Sequence, residues 1–186
     1  MGVEWNPCEG SSWGGNSIKE KVLKALTLLY LQADRQVARL QAVHSARLQC
    51  RLGCTRCCVD GLTVFEVEAG NIRRHHKELL LKGRPHPEGA CAFLDESGAC
   101  RIYERRPYVC RTQGLPLRWI EIQPDGSRVE MRDICPLNEG GPSVETLPAE
   151  ACWTIGPFED MLAGLQIALS AKDLGRTPLR TLFRGT

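Results

Sequence analysis

The sequence predicts an irregular α+β domain, and three features carry that reading. Apolar residues recur at helical spacing near both ends, a central stretch alternates as a β-hairpin does, and cysteines cluster between them. The order helix, cysteines, helix, cysteines, hairpin, helix contains no alternating βα units. No repeat period or low-complexity tract is visible, so a repetitive fold is excluded.

Residues 1–16, rich in Gly and Ser around Trp5 and Trp13, read as a flexible N-terminal tail. From Glu4 and the lack of an apolar run no signal or transit peptide is expected, and Asn6-Pro7 departs from the myristoylation pattern that Met1-Gly2 opens, so that modification is not expected either. Ser17-Ile-Lys-Glu20 has the form of a capping box. From there Val22, Leu26, Leu29, Ala33, Val37, Leu40 and Val43 recur at three- and four-residue steps. Residues 17–49 are therefore expected to form an N-terminal helix that lays one apolar stripe on the core and delivers the chain to Cys50.

Asp60-Gly61 marks a turn, and Thr63-Val-Phe-Glu66 is a second capping box, predicting a helix through Ile72 to about Leu81 that carries His75 and His76. The Pro and Gly content of residues 83–89 makes a loop, in which His86 has no visible partner. Residues 117–123 and 128–134 alternate about Pro124-Asp-Gly-Ser127, which is a hairpin. Pro157 suits the first position of a final helix through Leu169, and the basic tail after Gly175 is expected to pack loosely. Residues 50–140 then form a cysteine-cluster metal-binding domain, with residues 141–186 a C-terminal helix and tail packed on it.

With 186 residues the chain can bury a core of its own, so size does not oblige it to form disulfides. Its formal charge of +2 offers no global field for nucleic acid or acidic lipid, and its apolar runs are broken by charge well short of a membrane span. Nucleic acid and membrane are therefore not expected partners, and the cytoplasm is the expected location. In that reducing compartment ten cysteines point to metal or redox chemistry.

The first group is Cys50, Cys54, Cys57 and Cys58. Cys54 and Cys57, three apart on a tight turn, can share one metal, and Gly53 permits the positive φ that such a turn needs. Consecutive side chains generally diverge, so Cys57 and Cys58 suit two ions, or a cluster plus a second role, better than one tetrahedral ion. The Cys50-x3-Cys54-x2-Cys57 spacing also matches the loop of radical S-adenosylmethionine enzymes, although the preceding helix and the short chain argue against their barrel. The second group is Cys91, Cys100 and Cys110, followed by Cys135 after the hairpin, and the Asp95 to Gly98 turn folds Cys91 toward Cys100. Cys8 and Cys152 lie outside the pattern and read as non-ligands.

Cys54-x2-Cys57-Cys58, Cys91-x-Phe93-Leu94, Cys100-x-Ile102-Tyr103-x-x-Arg106-Pro107-x-x-Cys110-Arg111 and the late Cys135 together resemble the YkgJ-like cysteine-cluster family. The resemblance covers about Cys50 to Cys135 and implies zinc or iron chelation in a bacterial protein, without implying a reaction. A weaker similarity to flagellin lysine methylases makes S-adenosylmethionine-dependent methylation an alternative. Arg51, Arg56, Arg101, Arg105, Arg106 and Arg111 lie close to motif cysteines and can offset thiolate charge. Arg106 and Arg111, which belong to the motif, are the better candidates. Phe93 and Tyr103 read as core residues that shield the metal from water.

The expected cofactor is thus an iron–sulfur cluster, 4Fe–4S in type, or zinc, held by Cys50, Cys54, Cys57, Cys58, Cys91, Cys100, Cys110 and Cys135. A redox or catalytic centre is one reading, and a structural zinc module presenting a surface to a protein partner is the other. No Ser/His/Asp set, phosphate loop or nucleotide fingerprint is present. Adjacent helical residues point about 100° apart, so His75 and His76 are poorly placed to share an ion. Replacing both with Gln is expected to leave metal content unchanged; metal loss with an intact circular dichroism spectrum would indicate a mixed Cys/His site.

Overall fold

The computed structural model describes residues 13–170 and 174–183. The expected tail up to residue 12, and the assignment of Cys8 as a non-ligand, lie outside the described residues. The fold is α+β, with a long N-terminal helix, a shorter C-terminal one and two small sheets. No described helix is long and apolar enough to cross a membrane.

Helix α1 spans Trp13–Val43, so Ser17 lies inside it rather than at its cap. It also stops short of residue 49, because His44 and Arg47 are buried and committed to distant backbone. His44 Nε2 lies 2.6 Å from Ala151 O, and Arg47 Nε donates to Asn138 O at 2.9 Å. Six of the seven predicted stripe residues are buried; Val43, at the helix end, is 62% exposed. The stripe packs with Val67, Tyr108, Leu115, Trp153 and Leu162 into the first of two cores.

Strand β1 (Thr63–Phe65) pairs antiparallel with β5 (Arg176–Pro178). Thr63 is therefore a strand residue, and α2 (Glu66–His75) starts without a side-chain cap. The Arg176 guanidinium donates to Thr63 Oγ1 and Thr63 O, which ties up the hydroxyl that a capping box would use. A break at His76 separates α2 from α3 (Lys77–Lys82). The described residues after Gly175 do not pack loosely: β5 completes a sheet, and Leu179, Leu182 and Phe183 are buried beside Val64, Ile72, Phe93 and Ile102 in the second core.

The short α4 (Tyr108–Arg111) carries Cys110. The hairpin strands β2 (Leu117–Ile122) and β3 (Arg128–Asp133) follow, and β4 (Trp153–Thr154) adds parallel to β2, giving the order β3-β2-β4. Helix α5 (Pro157–Ser170) packs against α1, and its buried Gln166 accepts from Val67 N at 3.0 Å.

Glu68 ties these layers together. Its buried carboxylate accepts from Tyr30 Oη of α1 at 2.9 Å and from the Tyr108 amide of α4 at 2.8 Å. Tyr108 Oη in turn accepts from Trp153 Nε1 at 2.9 Å. Arg111 closes the other side of α4, donating to Asp34 Oδ2 at 2.6 Å with its guanidinium 4.1 Å over the Tyr30 ring. Helix α4 is thus pinned to both α1 and α2.

Burial raises the Glu68 pKa above the ordinary carboxylate value, against the opposing hydrogen bonds from Tyr108 and Tyr30. A raised native pKa means that the group's contribution to stability falls as pH climbs from the unfolded value through the native one. Tyr30→Phe removes a donor to the charged form and raises the native pKa further. It is expected to destabilise by about 1–2 kcal/mol at pH 8 and by less at pH 4.5. Urea midpoints of both proteins at the two pH values check this, and an equal penalty at both would refute it.

Candidate metal centre

Two turns and one backbone bond assemble the cysteines. Gly53 has φ +85°, the left-handed conformation expected of it, and Cys54 N donates to Arg51 O at 2.9 Å to close the first turn. The second turn is built by Asp95, whose Oδ1 accepts from the Ser97 and Ala99 amides, each at 2.9 Å. Leu94 and Cys100 then pair as an isolated antiparallel bridge, which folds the Cys91 and Cys100 segments together. The two groups are stitched by Cys91 N donating to Cys58 O at 2.9 Å.

Asp60 locks the same junction from outside. It accepts from Arg180 Nε at 2.9 Å and Nη2 at 2.8 Å, while its Oδ2 also accepts from Gly89 N at 3.0 Å. Arg180 further donates to the carbonyls of His86, Pro87 and Ala90. One guanidinium therefore joins the loop after Cys58, the loop before Cys91 and the C-terminal segment.

Cys50, Cys54, Cys57, Cys58, Cys91, Cys100 and Cys110 line one cavity of about 360 Å³, with Phe93, Ile102 and Leu179 among its apolar walls. Cys135 is not among the residues lining it. That residue begins a short turn, Pro136–Asn138, which sends Asn138 toward Cys50 instead. Cys152 is buried elsewhere, near Arg132, with Nη1 3.8 Å from its sulfur. His75, His76 and His86 do not line the cavity either. Among the described residues no three His, Cys, Asp or Glu side chains form a ready-made cage for one ion. The thiols are distributed around the wall.

The thiols nevertheless feel one another. Interaction with the neighbouring Cys58 thiol lowers the Cys57 pKa to about 6, while the same interaction pushes that of Cys58 far up, so the pair gives up one proton more readily than the second. Cys110 is pushed up to about 12, first by burial and then by the charges of Cys91, Cys100, Cys57 and Glu68. Burial likewise raises Cys91 and Cys100, but the Phe93 and Ile102 amides donate toward their sulfurs and favour the thiolates. Amides aimed at sulfur two residues back are suited to anionic ligands.

Arg106 and Arg111 both line the cavity, in different circumstances. The charge of Arg111 is matched by Asp34. Arg106 stacks 4.0 Å over the Tyr103 ring, and Tyr103 is 59% exposed rather than a core residue; Phe93 is fully buried, as expected.

Two positioning residues escaped the sequence reading. Asn138, fully buried, extends Nδ2 to within 3.5 Å of Cys50 Sγ and 2.8 Å of Gly114 O, while its Oδ1 accepts from Gln49 N at 2.8 Å. Gly114 has φ +87°, and a Cβ there would stand 2.4 Å from Cys50 Sγ. A lone Gly between Gln113 and Leu115 and a lone Asn after Pro136-Leu137 carry no local signal of a sulfur nearby.

No curated protein and no solved structure matches the chain. Residues 49–136 match the family model CxxCxxCC, described as "Putative zinc- or iron-chelating domain". That span contains all seven cavity cysteines and Cys135. The segment of this chain from residue 49 to residue 136 is accordingly a domain of the CxxCxxCC family.

Proposed function

We propose that the cavity thiols hold an iron–sulfur cluster, 4Fe–4S in type, in preference to zinc. The observation that carries this reading is the convergence of seven thiols on one cavity. A structural zinc site takes four ligands, with Zn–S of about 2.3 Å, and so draws its sulfurs to within about 3.8 Å of one another. Seven thiols lining a cavity of about 360 Å³ are more than a single zinc ion uses and leave room for a larger body.

Cys50, Cys54, Cys57, Cys58, Cys91, Cys100 and Cys110 are the candidate ligands in this reading. Arg106, which makes no ion pair among the described residues, offsets part of the excess negative charge that thiolates bring, whereas the charge of Arg111 is already matched by Asp34. When bound, the cluster would supply one-electron redox capacity, or an open iron where only three thiolates ligate it. Nine free cysteines among the described residues suit a reducing compartment such as the cytoplasm. The rival reading, a zinc module for a protein partner, draws support from Leu52, which is 86% exposed beside the thiols.

Protein purified without air from iron-replete cells is expected to be brown and to contain sulfide in proportion to iron. Colourless protein with stoichiometric zinc and no sulfide would overturn the cluster. Ser in place of Cys57, Cys58, Cys91, Cys100 or Cys110 is expected to lower metal content and to forfeit much of a metal contribution to folding on the order of 10 kcal/mol. Cys152→Ser and Cys135→Ser are expected to retain the metal, and loss in either would extend the ligand set.

Gly114→Ala tests the placement of Cys50. Its added methyl meets the sulfur in a backbone conformation that L-residues disfavour, so a loss of at least about 2 kcal/mol is expected in urea unfolding, together with reduced metal content. Unchanged stability would mean that Cys50 is free to move away.

A further inference from the structure

The cavity has more than thiols in its wall. Gln41, Arg51, Tyr103, Arg106 and Gln113 contribute polar groups, and no Asp or Glu lines it among the described residues. Its volume of about 360 Å³ falls at the small end of sites that bind organic molecules. Of its arginines, Arg111 is neutralised by Asp34, and Arg51 sits on the exposed turn between Cys50 and Cys54.

Arg106 is different from both. Among the described residues it makes no ion pair, and the one hydrogen bond of its guanidinium, from Nη1 to Tyr103 O, is long at 3.4 Å. Its Nε is buried and has no partner. Buried donors in folded proteins are nearly always satisfied, and those that are not often await a ligand or water. The guanidinium carbon lies over the Tyr103 ring, 4.0 Å from its centroid, a cation–π contact that restrains the group against the cavity wall. A guanidinium held this way presents a planar fork of donors, which matches the two oxygens of a carboxylate. Of the three arginines in the wall, Arg111 is committed to Asp34 and Arg51 is exposed, which leaves one partly buried guanidinium, fewer cations than a phosphate dianion favours.

We propose that this cavity binds a small organic carboxylate, its anionic end held by Arg106, beside the cysteine-held centre. The anion subsite stands on Arg106, Tyr103 and the cavity; its placement beside a metal rests on the function proposed above.

Saturation-transfer NMR on the full chain, with benzoate as the probe, tests this. Benzoate is expected to give a saturable signal, benzamide of the same shape none, and an equal concentration of inorganic phosphate no displacement. Arg106→Gln should weaken benzoate binding at least tenfold, and Arg106→Lys, a point charge without the fork, should restore only part of it. Tyr103→Ala, at an exposed position, should weaken binding severalfold and serves where the Arg106 variants do not fold. An equal benzamide signal, displacement by equimolar phosphate, or undiminished binding in folded Arg106→Gln and Tyr103→Ala proteins would each overturn the proposal. Metal content, assayed on each preparation, separates the two readings. Metal without Arg106-dependent benzoate binding overturns the carboxylate site and leaves the centre standing, and the reverse pair of results does the opposite.

Discussion

Crowding thiols into one cavity sets a cost that the rest of the fold must meet. Burial and the charges of neighbouring sulfurs both oppose ionisation at Cys100 and Cys110, yet metal ligation requires thiolates. What offsets this is built into the backbone and the walls: the Phe93 and Ile102 amides favour the Cys91 and Cys100 thiolates, Arg106 lies close by, and the Cys58 thiol favours ionisation of Cys57. Mutual repulsion would otherwise spread the segments, and the chain restrains them from several directions. The Cys58–Cys91 backbone bond, the Asp60–Arg180 pair and the Glu68 contacts to Tyr30 and Tyr108 hold three cysteine-bearing segments against two different cores.

The long helix, the hairpin, the final helix and the Gly53 and Asp95 turns were legible because each is decided by residues within one or two turns of chain. The capping boxes at Ser17 and Thr63 failed for the opposite reason. A capping box is a local preference worth about 1 kcal/mol, and at Thr63 the pairing with β5 together with two Arg176 hydrogen bonds outweighs it. The basic tail was misread on the same account, since Leu179, Leu182 and Phe183 find their partners in a core assembled from residues far back in the chain.

The cysteine spacing identified the family, and the family motif spans the cavity thiols. Spacing could not say how the thiols are held. Asn138 reaches Cys50 across 88 positions, and Arg180 reaches Asp60 across 120. Contacts of that range leave no periodicity, and neither Asn nor Arg at those positions differs from any surface residue by its neighbours alone. Tyr103 shows the converse case: its motif position suggested a buried shield, whereas it is an exposed platform for Arg106.

The Arg180 clamp also imposes an order on biosynthesis. Residues 50–110 leave the ribosome well before residues 179 and 180, yet Leu179 forms part of the cavity wall and Arg180 joins the two loops that flank Cys58 and Cys91. Until those last residues are in place the wall lacks Leu179 and the two loops lack the guanidinium that joins them, so the cavity is complete only once residues 179 and 180 have docked.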